Sequence, residues 1–373
     1  MQNLPRGIIA KCLALVFYAT LEYNIHLMLN YEPQIEFTVI ITAYNRKGFL
    51  LKSVNSVLSQ NLERSRYEII VSKNFEDMEI DKFLLENGVI LILNKEPGIG
   101  QRLHECISIS RGKIISFLED DDLWFSNRLS TISKEFSNDA TLGYYHNSYF
   151  PIDEMGKLTR EWIHHSNIKK TTLISRGMDY SYILPKVMRF SPNFNLSSIC
   201  ISRELYIKLE GDLSKLPNAI DIYFFLEALS LNFNVLLDTR KLTKYMIHES
   251  NMNKSGSFPV FVSESLGVYR SHLESTKIMV EMIKDIYVKC IAKSYLKEWE
   301  IRVCILLSRG KRNSLVKVIF SDVKLFFIRR DYSKYFFLIG LLSILFPNAV
   351  RRGYFFYLKN SLMKYASNRT HIH

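Results

Sequence analysis

Hydrophobic positions along the chain follow two alternating periods. Phe37–Tyr44 (FTVIITAY) is an unbroken, β-branched run of the kind that makes a strand buried on both faces. Phe49, Leu50, Val54, Val57 and Leu58 then recur at helical spacing. Tyr67–Ser72 reads as a second strand, Asp77–Glu86 as a short helix stopped at Asn87-Gly88, and Val89–Leu93 as a third strand. After a turn at Pro97–Gly100, the positions Leu103, Cys106, Ile107 and Ser110 form a helix face closed by Arg111-Gly112. Lys113–Leu118 is a fourth strand and runs straight into Glu119-Asp120-Asp121-Asp122. Strand and helix thus alternate four times, which predicts an α/β fold with a mostly parallel sheet flanked by helices.

Beyond residue 141 the pattern loosens. Tyr144–Phe150 is strand-like, and Asp153–Gly156 reads as a turn. Residues 160–190 show no period and are expected to be long loops. Asn195–Ser202 and Val235–Leu237 read as strands, with Arg203–Leu209 and Asp221–Leu231 as helices. From about residue 260 everything reads as helix. These shifts divide the chain into a helical N-terminal extension (1–34), one α/β half (35–140), a second half (141–258) and a helical C-terminal region (259–373). A chain of 373 residues is long enough for such an arrangement.

Charge changes the picture at the C-terminus. Residues 301–373 carry 14 Lys and Arg against two acids, Asp322 and Asp331, an excess of +12. The whole chain is also +12, so residues 1–300 are neutral. A basic tail that is rich in aromatics suits an anionic surface. Arg329-Arg330, Lys334, Arg351 and Arg352 bracket the apolar run Tyr335–Phe346, a composition suited to a helix or hairpin lying among lipid headgroups; the plain alternative is an ordinary buried helix with solvated flanks. That run is too short to span a bilayer and ends at Pro347. The run Ile8–Ala19 is also short, contains Lys11 and lacks a clear cleavage site, so a buried or interfacial helix is expected there rather than a secretion signal. The five cysteines are scattered with no CxxC pair, which argues against a disulfide framework or structural zinc and suits a reducing compartment.

Candidate chemistry sits at strand ends, where open α/β sheets bind ligands. Four consecutive acids after a buried strand repel one another and lose solvation, and a divalent cation is the usual resolution. A solvated acidic turn capping the next helix is the alternative for such a run taken alone.

In order along the chain, VIITAYNR (39–46), YEIIVS (67–72), GIGQRLHECISISRGKIISFLEDDD (98–122), Trp124 with Asn127-Arg128-Leu129, NLSSICISREL (195–205), AIDIYFFLEAL (219–229) and YMIHESNMNKS (245–255) resemble the family 2 glycosyltransferases of the GT-A fold. The resemblance implies transfer of a sugar, with inversion, from a nucleoside diphosphate sugar to a hydroxyl on a glycan or lipid-linked acceptor, with Mg²⁺ or Mn²⁺ as cofactor. It places Thr42, Tyr44, Arg46, Asn74, Gly100, Arg102, Glu119 and Asp120 at the nucleotide sugar, with Tyr44 and Arg46 at the base or ribose and Asn74 at a base edge. Asp121 stands at the metal-binding aspartate, and His248 falls where a histidine assists metal or phosphate. Asp221 matches the catalytic carboxylate that takes the acceptor proton, although a plain helix cap would also place an Asp there. Two departures stand out: Glu119 replaces an Asp, and Ser72-Lys73-Asn74 replaces the usual acidic pair after strand two. The expected location is the inner face of a cytoplasmic membrane, with no nucleic-acid partner. The alternatives are a nucleotidyltransferase, disfavoured by the lack of a Gly-rich loop with Lys after strand one, and a catalytically inactive GT-A-like protein that binds glycan or nucleic acid.

Overall fold

The computed structural model describes residues 35–157, 168–209, 211–248, 257–307, 312–329 and 333–367. The N-terminal run Ile8–Ala19 lies outside them.

The first half follows the alternation. β1 (Phe37–Ala43), α1 (Leu50–Leu58), β2 (Tyr67–Lys73), α2 (Met78–Glu86), β3 (Ile90–Leu93), α3 (Ile99–Ser108) and β4 (Ile114–Glu119) come in that order. β1, at the centre of this half, is buried at all seven positions because helices cover both faces. Its odd positions, Phe37, Val39 and Ile41, pack with Leu50, Val54 and Val57 of α1 on one face. Ile40 packs with Leu103, Cys106 and Ile107 of α3 on the other. β5 (Leu123–Trp124), α4 (Arg128–Asn138), β6 (Leu142–Ile152), β7 (Thr172–Ile174), α5 (Tyr180–Val187), β8 (Ile199–Ser202), α6 (Arg203–Lys208), α7 (Ile220–Ser230) and β9 (Asn234–Met246) follow.

All nine strands join one mixed sheet in the order β3-β2-β1-β4-β8-β6-β9-β5, with β7 on β9. β1 pairs in parallel with β2 and β4, and β2 with β3, as the alternation implies. β8 enters antiparallel to both β4 and β6, so the second half is mixed. Residues 160–190 are not only loop. They hold β7 and α5, which are too short to show a period, and α5 carries an internal proline, Pro185. β9 runs for 13 residues where three were expected, because Arg240, Lys241 and Lys244 interrupt the apolar pattern of a strand that β6 nevertheless pairs along its length.

The helical remainder comprises α8 (Phe258–Met282), α9 (Ile286–Leu307), α10 (Arg312–Ser321), α11 (Ser333–Leu345) and α12 (Pro347–Ser367). α9 belongs to two cores. Val288, Ile291, Ala292 and Tyr295 pack with the sheet's helices. One or two turns further on, Ile301, Ile305 and Leu306 pack with Phe336, Tyr354 and Phe355 of α11 and α12.

One glycine fixes the join between the sheet's two halves. The first turn of α3 abuts a 3₁₀ turn at Asp212–Lys215, and the Gly100 N–H donates to the Leu216 carbonyl at 3.1 Å. A Cβ on Gly100 would lie 2.2 Å from the Leu213 carbonyl oxygen and 2.4 Å from that of Leu216. Gly100, expected at the nucleotide, therefore makes its close approach to the protein's own backbone. Forced overpacking costs about 1–3 kcal/mol, so Gly100→Ala is expected to lower the unfolding free energy by that amount in a urea titration. An unchanged midpoint would show that α3 and the turn are not tightly docked.

Candidate active site

Three loops at the carboxyl ends of β1, β2 and β4 bring the first groups together. Asn45 adopts a left-handed φ of 58°. Its N–H donates to Asn74 Oδ1 at 2.8 Å, and Asn74 Nδ2 donates back to Asn45 Oδ1 at 2.7 Å. Asn74, expected at a base edge, has both ends of its amide turned onto Asn45. Thr42 is buried at the end of β1, in register with Glu119 and Ser72.

The acidic run is the electrostatic centre. Arg46, expected at the base or ribose, instead lies across the carboxylates. Its Nη1 donates to Asp121 Oδ2 at 2.5 Å and its Nη2 to Asp120 Oδ1. His248, just past β9, places Nε2 at 2.8 Å from the same Asp121 oxygen, with the Phe49 ring 5.1 Å from the imidazole. Asp122 is fully buried, accepting from the Met246 N–H at 2.8 Å and from Asn195 Nδ2 at 3.3 Å. Ser53 of α1 donates to the carbonyls of Asp120 and Asp122, holding the turn from below.

Proton affinities follow from this partnering. Burial pushes Glu119 up to about 8, reinforced by Asp121 and only partly offset by Arg46. Burial also pushes Asp120 up to about 6 against the pull of Arg46, and Asp122 well above the usual carboxylate range. Burial acts on Asp121 in the same direction, but the His248 hydrogen bond and the Arg46 charge outweigh it and hold that carboxyl below its ordinary value. The cluster holds more negative charge than Arg46 neutralises, and Asp120 Oδ2 is buried with no hydrogen-bond partner. Burying charge without a partner is unfavourable, so the run is chemically prepared for a cation.

Arg102 is the complementary case. It is 6% exposed, and its guanidinium lies under the Tyr44 ring at 4.6 Å. Its Nε and Nη1 are buried with no hydrogen-bond partner. Such donors suit an anionic or carbonyl-bearing ligand.

Asp221 lies in the first turn of α7, half-buried, and its charge reaches Glu119. Burial pushes it up to about 6, restrained by the Ile222 N–H at 2.8 Å and by the polar Asn193 side chain nearby. Ala219, in a left-handed conformation at φ 59°, turns the chain into this helix.

Residues 38–196 match the model for glycosyl transferase family 2. That stretch, under half of the chain, is similar to that family. An uncharacterised glycosyltransferase of Rickettsia bellii is 31% identical over 157 residues, 42% of this chain but 21% of the relative. The Escherichia coli UDP-Glc:alpha-D-GlcNAc-diphosphoundecaprenol beta-1,3-glucosyltransferase is 28% identical over 120 residues, 31% of this chain and 47% of that enzyme. The matched stretch thus spans about a fifth of one relative and under half of the other. The crystal structure of Staphylococcus aureus TarS residues 1–349 with UDP-GlcNAc superposes with a TM-score of 0.55 at 12% identity, covering 86% of this chain and 92% of that one. This likeness shows the fold, a GT-A type sheet with a helical C-terminal region.

The family 2 match ends at residue 196, so it covers the acidic run and Arg102 but neither Asp221 nor His248. Structure alone joins those two to the site. Sequence reasoning missed Ser53, Asn193, Asn195 and Ser197. Ser53 could have been found as the polar position on the apolar face of α1. Ser197 accepts the Glu119 N–H at 3.0 Å, and its carbonyl takes the Trp124 indole N–H at 2.9 Å. Trp124 is thereby a core residue, with the Arg128 guanidinium 3.9 Å from its ring centroid.

Because Arg102 carries unmet donors, replacing it removes a desolvation cost of about 1–3 kcal/mol at the expense of one cation–π contact. Arg102→Met is expected to leave the melting temperature unchanged or raised while weakening UDP or GDP binding at least tenfold by calorimetry. Unweakened nucleotide binding would leave Arg102 as a packing residue.

Proposed function

We propose that the chain is a glycosyltransferase that moves a sugar from a nucleoside diphosphate sugar to a hydroxyl acceptor, with inversion and with Mg²⁺ or Mn²⁺. The observation that carries this reading is the meeting of an over-charged acidic run with a separate, half-buried carboxylate, Asp221, whose field reaches Glu119.

The donor set fits a divalent ion. Asp121 Oδ2 and His248 Nε2 lie 2.8 Å apart and can both ligate, and the orphaned Asp120 oxygen adds negative charge beside them. No cluster of three or more His, Cys, Asp or Glu ligands occurs among the described residues, so the remaining ligands would be diphosphate oxygens and water. Bound there, the ion would act as a Lewis acid on the leaving diphosphate. Arg102 with the Tyr44 ring would hold the nucleotide, and Glu119 the ribose. Asp221 would accept the acceptor's hydroxyl proton as its oxygen attacks the anomeric carbon. Attack from the side opposite the diphosphate inverts that carbon.

Asp121→Asn is expected to abolish metal-dependent nucleotide-sugar binding with the fold intact. Asp221→Asn should lower kcat by about two to four orders of magnitude with donor affinity nearly unchanged. Release of UDP or GDP from a panel of sugar nucleotides with Mn²⁺ measures both. Near-normal turnover of Asp221→Asn would make Asp221 a helix cap and move attention to Glu227, buried on the same helix.

The acceptor is proposed to be a glycan or lipid-linked glycan, reached from the cytoplasmic face of an anionic membrane. Support comes from α11 and α12. They and the linking Phe346 expose Leu338, Leu342, Leu345 and Phe346 between the basic Lys334 and Arg352, with Tyr357 exposed one turn beyond, and the two helices flank an apolar cavity of about 690 Å³. No helix among the described residues is long and apolar enough to cross a membrane. The proposed mode is interfacial docking. Anionic vesicles should sediment the full chain, with partial release at high salt as screening removes only the electrostatic part. Leu342→Ser/Leu345→Ser/Phe346→Ser should cut the salt-resistant fraction severalfold. Equal recovery of variant and wild type would refute docking through this hairpin.

A further inference from the structure

The two helices of the C-terminal hairpin do not close fully on each other. Between them and α9 lies the cavity of about 690 Å³, inside the range of roughly 300–1,000 Å³ usual for small-molecule sites. Leu338 and Ile339 of α11 and Val350 of α12 wall it, and the exposed Tyr335 and Tyr357 stand at its mouth. Gly353 completes the α12 wall. A Cβ on Gly353 would meet no atom of the described residues within 4 Å, so this position opens onto space and not onto a packed neighbour.

The polar groups at the floor are already engaged. Arg302 Nε and Nη2 donate to Glu298 Oε1 at 3.0 and 2.7 Å, and Nη1 donates to the Tyr354 hydroxyl at 2.8 Å. That hydroxyl lies 2.8 Å from the Tyr269 hydroxyl. A ligand therefore meets apolar carbon on the walls and donors already committed below. Water gains few hydrogen bonds in such a space, and a hydrocarbon that displaces it takes apolar wall out of solvent. Outside the cavity the charge has one sign. Lys334 and Arg352 are exposed and adjoin the lining residues Tyr335 and Gly353 in sequence, and neither α11 nor α12 carries an acidic residue. Leu342, Leu345 and Phe346, exposed at the tip of the same hairpin, do not line the cavity.

We propose that this cavity binds one hydrocarbon chain of an anionic membrane lipid, with the headgroup at Lys334 and Arg352. The proposal deepens, and rests on, the reading of the hairpin as a membrane-docking element, since docking turns the mouth toward the lipid that supplies the chain. A chain seated there bridges α11 and α12 to Arg302 of α9, a helix whose first half packs with the helices of the sheet. Lipid is then held in a defined site, one per protein chain, as well as by adsorption at the hairpin tip.

The test uses the full chain and cis-parinarate, an anionic acyl chain that fluoresces in apolar surroundings, kept below its aggregation concentration. Wild type is expected to take up one equivalent, to release it to oleate, and to melt at higher temperature when oleate is present. Gly353→Phe places a ring in the open space. It should weaken uptake by about tenfold and remove the thermal shift by oleate, without lowering the melting temperature of the free protein. Val350→Phe, one turn earlier on α12, should match it, whereas Gly353→Ala, which adds a single methyl, should keep wild-type uptake. Lys334→Gln/Arg352→Gln should weaken parinarate severalfold but not its uncharged methyl ester. Leu342→Ser/Leu345→Ser/Phe346→Ser should keep uptake while losing salt-resistant vesicle binding, and Gly353→Phe should still sediment with vesicles. Wild-type uptake in both Phe variants, uptake of many equivalents, or loss of uptake in the tip variant would overturn the proposal and leave docking standing. A wild type that does not sediment with anionic vesicles would overturn the docking reading and this proposal with it.

Discussion

Four carboxylates in sequence at the end of a buried strand repel one another, and the protein meets that constraint by drawing partners to the run from distant parts of the chain, Arg46 serving both Asp120 and Asp121. Asp121 takes Arg46 from the loop after β1 and His248 from beyond β9. Asp122 takes a backbone N–H at Met246 and the amide of Asn195. The Glu119 N–H goes to Ser197. These partners span some two hundred residues of sequence, so the run can be buried only when both halves of the sheet are assembled around it. The antiparallel entry of β8 between β4 and β6 is what carries the 191–198 segment to that position.

The same dependence explains why α9 is shared between two cores. Its first half packs on the helices of the sheet and its second half on α11 and α12. Tyr295 lies on the first half and Arg302 seven residues later, about 10 Å along the axis and on nearly the same face. Glu298, between them, binds Arg302 and Arg329. A buried carboxylate held by two guanidiniums tolerates little movement, since breaking either pair leaves charge uncompensated. The helical region is in this way locked to the sheet's second half rather than tethered to it.

Much of the first half of the sheet was legible in the sequence. β1 through β4 are apolar runs punctuated by turns, and their ends are polar, so the loops at Tyr44, Asn74 and Glu119 followed from pattern alone. Arg46 was expected in this loop, but its contacts with Asp120 and Asp121 were not foreseen, because periodicity fixes where a side chain starts and not which charge it meets. Gly100 was read as ligand-facing when its neighbour is the 213–216 backbone, a contact 113 or more residues away that no local signal encodes. β5, β7 and α5 are too short to show a period. Asn193 and Asn195 looked like ordinary loop residues, since their partners lie on α9 and in the turn after β4.

The two parts of the site also differ in how their precision is obtained. Groups at the ends of β1 and β4 are set by strand register: Thr42 opposite Glu119, and Thr42 opposite Ser72. A register is fixed by a whole row of hydrogen bonds, so its residues need no strained backbone. Asp221 and Asn193 have no strand to hold them. Ser191, Asn195 and Ala219, all non-glycine residues with left-handed φ, bracket them instead. Each such residue costs on the order of 1 kcal/mol or more, which surrounding packing must supply. Leu213 and Leu216 beneath the turn before α7, and Tyr295 behind Asn193, are buried side chains placed to supply it. Loosening that packing should therefore disturb Asp221 before it disturbs the acidic run.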